Sequence, residues 1–141
     1  MDSNIDILSA DKIEINNLTK QFFNLFDNTG HKIPDWAIAQ KICIPEIIII
    51  KKTGLNEVVY NLENFIEPRK AILSDGTLTN FQEHELREET QIIGNIAQRQ
   101  SRYQKSGNLF GKSFIETGTK FFQFIKTNDG WRINSLVWED D

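Results

Sequence analysis

The run Ile92-Ile93-Gly94-Asn95-Ile96-Ala97 constrains this chain more than any other, because a Gly-Asn pair between apolar residues suits a two-residue type II′ hairpin turn. Such a turn fixes the pairing on either side. It sets Ile93 opposite Ile96, Ile92 opposite Ala97, Thr90 opposite Arg99, Glu88 opposite Ser101 and Leu86 opposite Tyr103. Strand alternation then sends His84, Leu86, Glu88, Thr90, Ile92, Ala97, Arg99, Ser101 and Tyr103 to one face. The other face takes Glu83, Glu85, Arg87, Glu89, Gln91, Gln98, Gln100 and Arg102, so the first is expected to point inward. A β-bulge shifts this parity beyond itself.

A second hairpin lies at Asn128-Asp129-Gly130. A three-residue loop with a left-handed glycine places Ile125 opposite Ile133 and Phe121 opposite Val137, all on the face of Trp131. Phe122, Phe124, Leu136 and Trp138 then occupy the opposite face, and the last two strands are apolar on both sides. An apolar outer face calls for cover. The simplest cover is a second copy, which predicts a homodimer through Phe122, Phe124, Leu136 and Trp138.

The first half of the chain has helical spacing. From Asp11, Ile15, Leu18, Phe22, Leu25 and Phe26 recur at intervals of three and four, with Asp11 and Glu14 in the pattern of a capping box. A shorter helix is expected from Pro34-Asp35, carrying Trp36, Ile38 and Ile42 and ended by Pro45. Glu46–Lys51 and Glu57–Tyr60 read as strands about a turn at Thr53–Asn56, and Asn61 caps a third helix that Pro68 kinks or restarts. The organisation is a tail over residues 1–10 and a single domain over 11–141.

Composition narrows the function classes. A length of 141 residues suits one domain. With 16 Lys+Arg against 20 Asp+Glu, the net charge of −4 argues against a nucleic-acid surface. The longest apolar block, Ile47–Ile50, is far short of a membrane span, and the acidic start lacks a signal-peptide pattern, so a cytoplasmic location is the expectation. Cys43 lies between Ile42 and Ile44 and reads as a small buried hydrophobe. Without CxxC, HExxH, P-loop or GxGxxG motifs, neither a metal nor a nucleotide cofactor is expected.

The inward set supplies the candidate site. His84, the only inward histidine, is the candidate general acid/base, with Glu88 about 13 Å along the same strand. Arg99 offers a planar fork to an acidic group, though it can instead neutralise Glu88. Ser101, Tyr103, Trp131 and Trp36 complete a candidate binding set for a small, largely apolar molecule with a polar or acidic group.

Helices followed by a long bent antiparallel sheet, together with Phe22–Phe26, Phe65-Ile66-Glu67-Pro68-Arg69, Ile93–Arg99 with Tyr103, and Gly130-Trp131-Arg132-Ile133, resemble the nuclear transport factor 2-like superfamily. The likeness is to its uncharacterised bacterial branch of SnoaL-like (polyketide-cyclase-like) proteins. It implies a cystatin-like α+β cone, with three helices on a curved mixed, mostly antiparallel sheet enclosing a pocket, and dimers through the outer sheet face. Relatives include isomerases, dehydratases, cyclases and epoxide hydrolases, and also proteins without chemistry. The steroid-isomerase type needs an acid on the early strand, where this chain has Ile47–Ile50. Glu88 with Arg99 only partly matches an epoxide-hydrolase set, and His84, Glu88 and Tyr103 come nearest to a dehydratase. Three readings follow: a ligand-binding cone, a lyase or isomerase using His84, and a non-enzymatic dimeric interaction module.

Overall fold

The computed structural model describes residues 9–141. Helices α1 (Ala10–Asn24) and α2 (Ile38–Ile42) precede strands β1 (Cys43–Thr53) and β2 (Asn56–Tyr60), and α3 (Leu62–Ser74) follows them. Four long strands follow: β3 (Leu78–Ile93), β4 (Ile96–Leu109), β5 (Lys112–Thr127) and β6 (Gly130–Asp140). One curved sheet of order β2-β1-β6-β5-β4-β3 results, antiparallel except where β1 runs parallel to β6. The helices lie against its inner face, the α+β arrangement expected.

The first helix begins earlier than its apolar pattern. Ser9 is the N-cap, its Oγ accepting from the Lys12 N–H at 3.0 Å, so Ala10 belongs to the helix and only residues 1–8 of the expected tail lie outside the described structure. Asp11 and Glu14 therefore form no capping box. The Asp11 carboxylate accepts from the Trp131 indole N–H at 2.9 Å and from Lys126 Nζ at 3.1 Å, and Glu14 accepts from the Trp131 backbone N–H at 2.7 Å. Both acids clamp the helix to the β5–β6 turn. At the other end of α1, Asn28 Nδ2 donates to Leu73 O at 3.1 Å and Leu78 O at 2.9 Å, and its Oδ1 accepts from Phe81 N–H at 2.7 Å. One buried carboxamide thus joins α1 to the end of α3 and the start of β3.

The middle of the chain differs in detail. The second helix is a short piece after a turn at Trp36-Ala37, and β1 already begins at Cys43. Pro45 does not end that helix. It lies in β1 between Cys43 and Ile48, where pairing with β6 is irregular and a missing N–H is tolerated. Asn61 caps α3 in a reciprocal box with Asn64, and Pro68 sits inside an unbroken helix.

Two single-residue bulges decide which side chains face the helices. The β3–β4 pairing follows the expected register from Ile93–Ile96 to Glu88–Ser101, with Gly94 at φ 58° as a type II′ turn requires. Leu86 is then extra: Glu85, not Leu86, pairs with Tyr103. Parity reverses there, which turns Glu83 and Glu85 inward and leaves His84 exposed on the outer face. In β6 the loop has two residues rather than three, since Thr127 pairs with Gly130 and Phe124 with Ile133. Asn134 is the extra residue that restores Phe121 opposite Val137.

Trp131 and Ile133 consequently share the inner face with Phe122, Phe124, Leu136 and Trp138. Those last four are 0%, 1%, 0% and 5% exposed within one chain, so they are core residues and not the outer contact expected from the sequence. Around them Phe22 meets Phe122 edge-on at 5.4 Å, Phe26 meets Phe65 at 5.8 Å and Phe65 meets Trp138 at 5.7 Å. Aromatic rings pack under α1 and α3, and a cavity of about 470 Å³ remains between α1 and the Glu83–Glu88 part of β3.

Candidate functional site

The inner face contains charges, and each is held by partners that the fold supplies. Arg99, 4% exposed, donates from Nε to Glu85 Oε2 at 3.0 Å and from Nη2 to Glu85 Oε1 at 2.5 Å. Its Nη1 donates to Asn16 Oδ1 at 2.7 Å and Thr90 Oγ1 at 3.2 Å. Ser101 donates to Glu85 Oε2 at 2.6 Å. Glu88 accepts from Lys12 Nζ at 2.7 Å and from Thr90 Oγ1 at 2.7 Å. Burial alone raises the Glu88 carboxyl, but these two bonds and the nearby Arg99 charge hold it below the ordinary range. Arg99 therefore neutralises two half-buried carboxylates, and its fork is occupied.

A second network lies deeper. Lys120 Nζ is 3.0 Å from Glu83 Oε2, both side chains being 6% exposed. The same ammonium lies 4.0 Å from the Tyr103 ring centre and 5.2 Å from that of Trp138. Burial lowers the Lys120 pKa and Glu83 opposes that shift. The Tyr103 hydroxyl donates to the Asp140 carboxylate, which also accepts from Lys105 Nζ at 2.9 Å. Burial and then Asp140 push the phenol pKa up. Burial also raises the Asp140 carboxyl, but the bonds from Tyr103 and Lys105 outweigh it and hold that group low. The ring needs Gly118 opposite it: a Cβ there would lie 2.1 Å from the Tyr103 oxygen and 2.6 Å from Glu139 O.

Of the expected site residues, Arg99, Ser101 and Tyr103 come together inside the sheet, each bonded to a carboxylate. Trp131 is fully buried with its N–H on Asp11. His84 alternates with the inward Glu83 and Glu85 and is exposed, yet it borders the same cavity of about 470 Å³ beside α1 as Glu85, Glu88 and Arg99. Trp36 is half-buried against Phe26 and lines a groove of about 870 Å³ between α2 and α3, floored by Ala39, Cys43 and Ile66. Burial pushes the Cys43 thiol up to about 12, which leaves it inert as a nucleophile. Glu83, Glu85 and Lys120 were not in the expected set. Four acids crowd Glu83–Glu89 in the sequence, but only the bulge selects which turn in.

The outer face is ordered in rows across the strands. One row runs Glu89, Gln100, Phe121, Val137, Ile50, Val59, each residue pairing with the next. Phe121 is 54% exposed, Val137 37% and Val59 60%. On one side lies a charged row, Arg87, Arg102, Thr119, Glu139, Lys52, Glu57. On the other side come Gln91, Gln98, Gln123 and Ser135, then Ile93, Ile96, Ile125 and Arg132. No helix covers these rows among the described residues.

No protein-family model and no curated protein matches the sequence. Solved structures with the same fold do. A nuclear transport factor 2-like superfamily protein from Salmonella enterica aligns at TM-score 0.72 and 16% identity, over 89% of this chain and 87% of its own. A nuclear transport factor 2-like protein from Cytophaga hutchinsonii aligns at 0.72 and 11% identity, over 94% and 100%. A hexachlorocyclohexane dehydrochlorinase, LinA type 2, aligns at 0.75 and 12% identity, over 94% and 86%. At such identities the likeness shows the fold, and that fold carries both enzymes and proteins without a stated activity.

Proposed function

We propose that this chain, a cone of the nuclear transport factor 2-like fold, works as a non-enzymatic, self-associating module whose contact is the outer sheet face. The observation that carries the reading is the contrast between rows: the inward charges are bonded within the chain, and the outward apolar residues are uncovered. A second copy suits that face. Turned over about an axis along the strands, β3 of one copy lies over β2 of the other, which sets Arg87 opposite Glu57 of the partner subunit, while Arg102 keeps its own pairing with Asp141. The four rows, at about 4.8 Å between strands, span roughly 25 Å by 20 Å, on the order of what a stable dimer takes from each partner. Sedimentation velocity on the full chain tests this. The expected result is a dimer at micromolar concentration that Phe121→Asp with Val137→Asp converts to a folded monomer; a monomeric native chain overturns it.

One observation favours a second reading, ligand binding at Trp36. The groove beside this residue has an apolar floor and a polar rim of Gln40, Asn61, Glu63, Glu67 and Lys70, which suits a small apolar molecule with one polar group. Trp131 and Trp138 are buried, so a change in the exposed fraction of indole emission on adding 1-naphthoate reports on Trp36. Loss of that change in Trp36→Phe supports the reading, and an unchanged spectrum in the native chain removes it.

A further inference from the structure

Arg69 on α3 differs from the cations near it. Arg99, Lys105 and Lys120 each meet a carboxylate. Among the described residues Arg69 meets none. Its guanidinium has two polar neighbours, Phe65 O, which accepts from Nη1 at 2.9 Å, and the Tyr60 hydroxyl, so most of the fork is open. The half-buried group lies 3.9 Å from the ring centre of Phe65, 5.3 Å from that of Tyr60 and 5.6 Å from that of Trp138. Burial lowers its pKa, and Tyr60 and Glu83 oppose that shift. Glu83, however, is already bonded to Lys120.

Lys51 is a second such cation, at the β1–β2 end of the sheet. It pairs with Trp138 across β1 and β6, so both side chains leave the same side of the sheet. Its charge acts on Asp140, which Tyr103 and Lys105 already hold. Two acids, Glu83 and Asp140, thus serve four cations, Arg69, Lys120, Lys51 and Lys105. In a chain of net charge −4 this corner carries an excess of positive charge. Like charges gathered around one indole repel, and an anion placed among them relieves that repulsion. The corner is also reachable. Along its inner row, exposure falls from the open Val58 on β2, through the half-buried Lys51, to the buried Trp138 and Lys120.

We infer that Arg69 and Lys51 form an oxyanion site that takes a small aromatic acid, a carboxylate or a phosphate. The planar fork of Arg69 faces two ligand oxygens, and Lys51 adds a charge from the solvent side. Tyr60, Phe65 and Trp138 give the flat body of the ligand an apolar wall. The Phe65 ring and Phe65 O already fix the plane of the guanidinium, so little ordering remains for binding to complete. The site is distinct from both surfaces proposed above. Its sheet residues point away from the outer face, so it stands whether or not the chain dimerises. Phe65 and Arg69, four residues apart, share one side of α3, whereas the Trp36 groove takes Glu63, Glu67 and Lys70 from the opposite side.

Isothermal titration calorimetry on the full chain with phenyl phosphate, benzoate and neutral benzamide provides the test. Both acids are expected to bind and benzamide is not. Phenyl phosphate is expected to bind more tightly, because two cations face it; the reverse order assigns the same site to carboxylates. Arg69→Met keeps an apolar stem on Phe65 and is expected to raise the Kd of either acid roughly ten- to a hundredfold, and Lys51→Met by about tenfold. Without ligand, Arg69→Met is expected to leave the denaturation midpoint unchanged or higher, since a half-buried charge without a counter-charge is gone. An arginine with a merely structural role predicts a lower midpoint and an unchanged Kd. Should Arg69→Met fail to fold, Lys51→Met at the more open end decides. Trp36→Phe is expected to leave the Kd unaltered, and loss of binding there would place the acid in the Trp36 groove and overturn the inference. It is equally overturned if neither acid binds, if benzamide binds as well as benzoate, or if the Kd is indifferent to both Arg69→Met and Lys51→Met.

Discussion

On the inner face of the sheet Arg99, Glu85, Glu83, Lys120 and Tyr103 each have a bonded partner within the chain, while on the outer face Phe121, Val59 and Ile96 stand open beside an unpaired Asn134. The same strands carry both. The difference teaches that buried charge does not by itself mark a working site. Arg99 and Lys120 neutralise carboxylates that the β3 bulge turns inward, and their polarity is consumed in holding the sheet to α1 and to itself.

The contrast breaks most visibly if the inner charges prove dispensable. Arg99→Ala leaves the half-buried Glu85 without its counter-charge and opens a gap at a buried site, and is expected to cost about 2–4 kcal/mol by urea denaturation. Retention of native stability would instead mean that Glu85 reaches water. Lys120→Met is expected to cost about 3 kcal/mol for the same reason, and Glu83→Leu with Lys120→Met to recover most of it, because the pair is then replaced by apolar volume. Failure of that recovery would assign the pair a role beyond neutrality. Gly118→Ala drives a methyl into the Tyr103 hydroxyl and Glu139 O, with an expected loss of about 1–3 kcal/mol in the same measurement.

Acid titration sharpens the comparison further. The Glu88 carboxyl is held below its usual value in the folded chain, so its contribution is fully present above about pH 4.3, the unfolded value, and is lost as pH falls through the folded one. Glu88→Gln is therefore expected to flatten the acid limb of a stability–pH curve. An unaltered limb assigns acid sensitivity to other carboxyls such as Asp140. The smallest effect belongs to His84→Ala. An exposed outer-face residue is expected to change stability by less than about 0.5 kcal/mol, and a larger loss would show that its neighbours depend on it.

What the sequence made legible follows the range of the forces involved. Helix α1, the capping residue Asn61 and the Gly94-Asn95 turn are local signals, and each is present in the structure. The pairing outward from that turn is also correct as far as Glu88–Ser101. Beyond it, Leu86 is accommodated as an extra residue, and nothing in the local alternation of Glu83, His84, Glu85 and Leu86 announces it. That one residue exchanged His84 for Glu83 and Glu85 as inward groups. Asn134 did the same on β6, moving Trp131 onto the face of Phe122 and Trp138. Both bulges are settled by how long strands curve around the helices, a property of the assembled sheet. Arg99, Ser101 and Tyr103 were found on the inner face because they lie on β4, whose parity neither bulge disturbs.

Asn28 has a kinetic consequence. Its side chain bonds residues 45, 50 and 53 positions away, so none of those bonds exists until three separate parts of the chain have met. Loops of that length close slowly, and a group waiting on all of them forms its contacts late on the folding path. Asn28→Ala is then expected to act mainly on the unfolding arm of a chevron and to leave the refolding rate nearly unchanged. In the native state this carboxamide acts as a latch that ties the end of α3 and the start of β3 to the segment after α1.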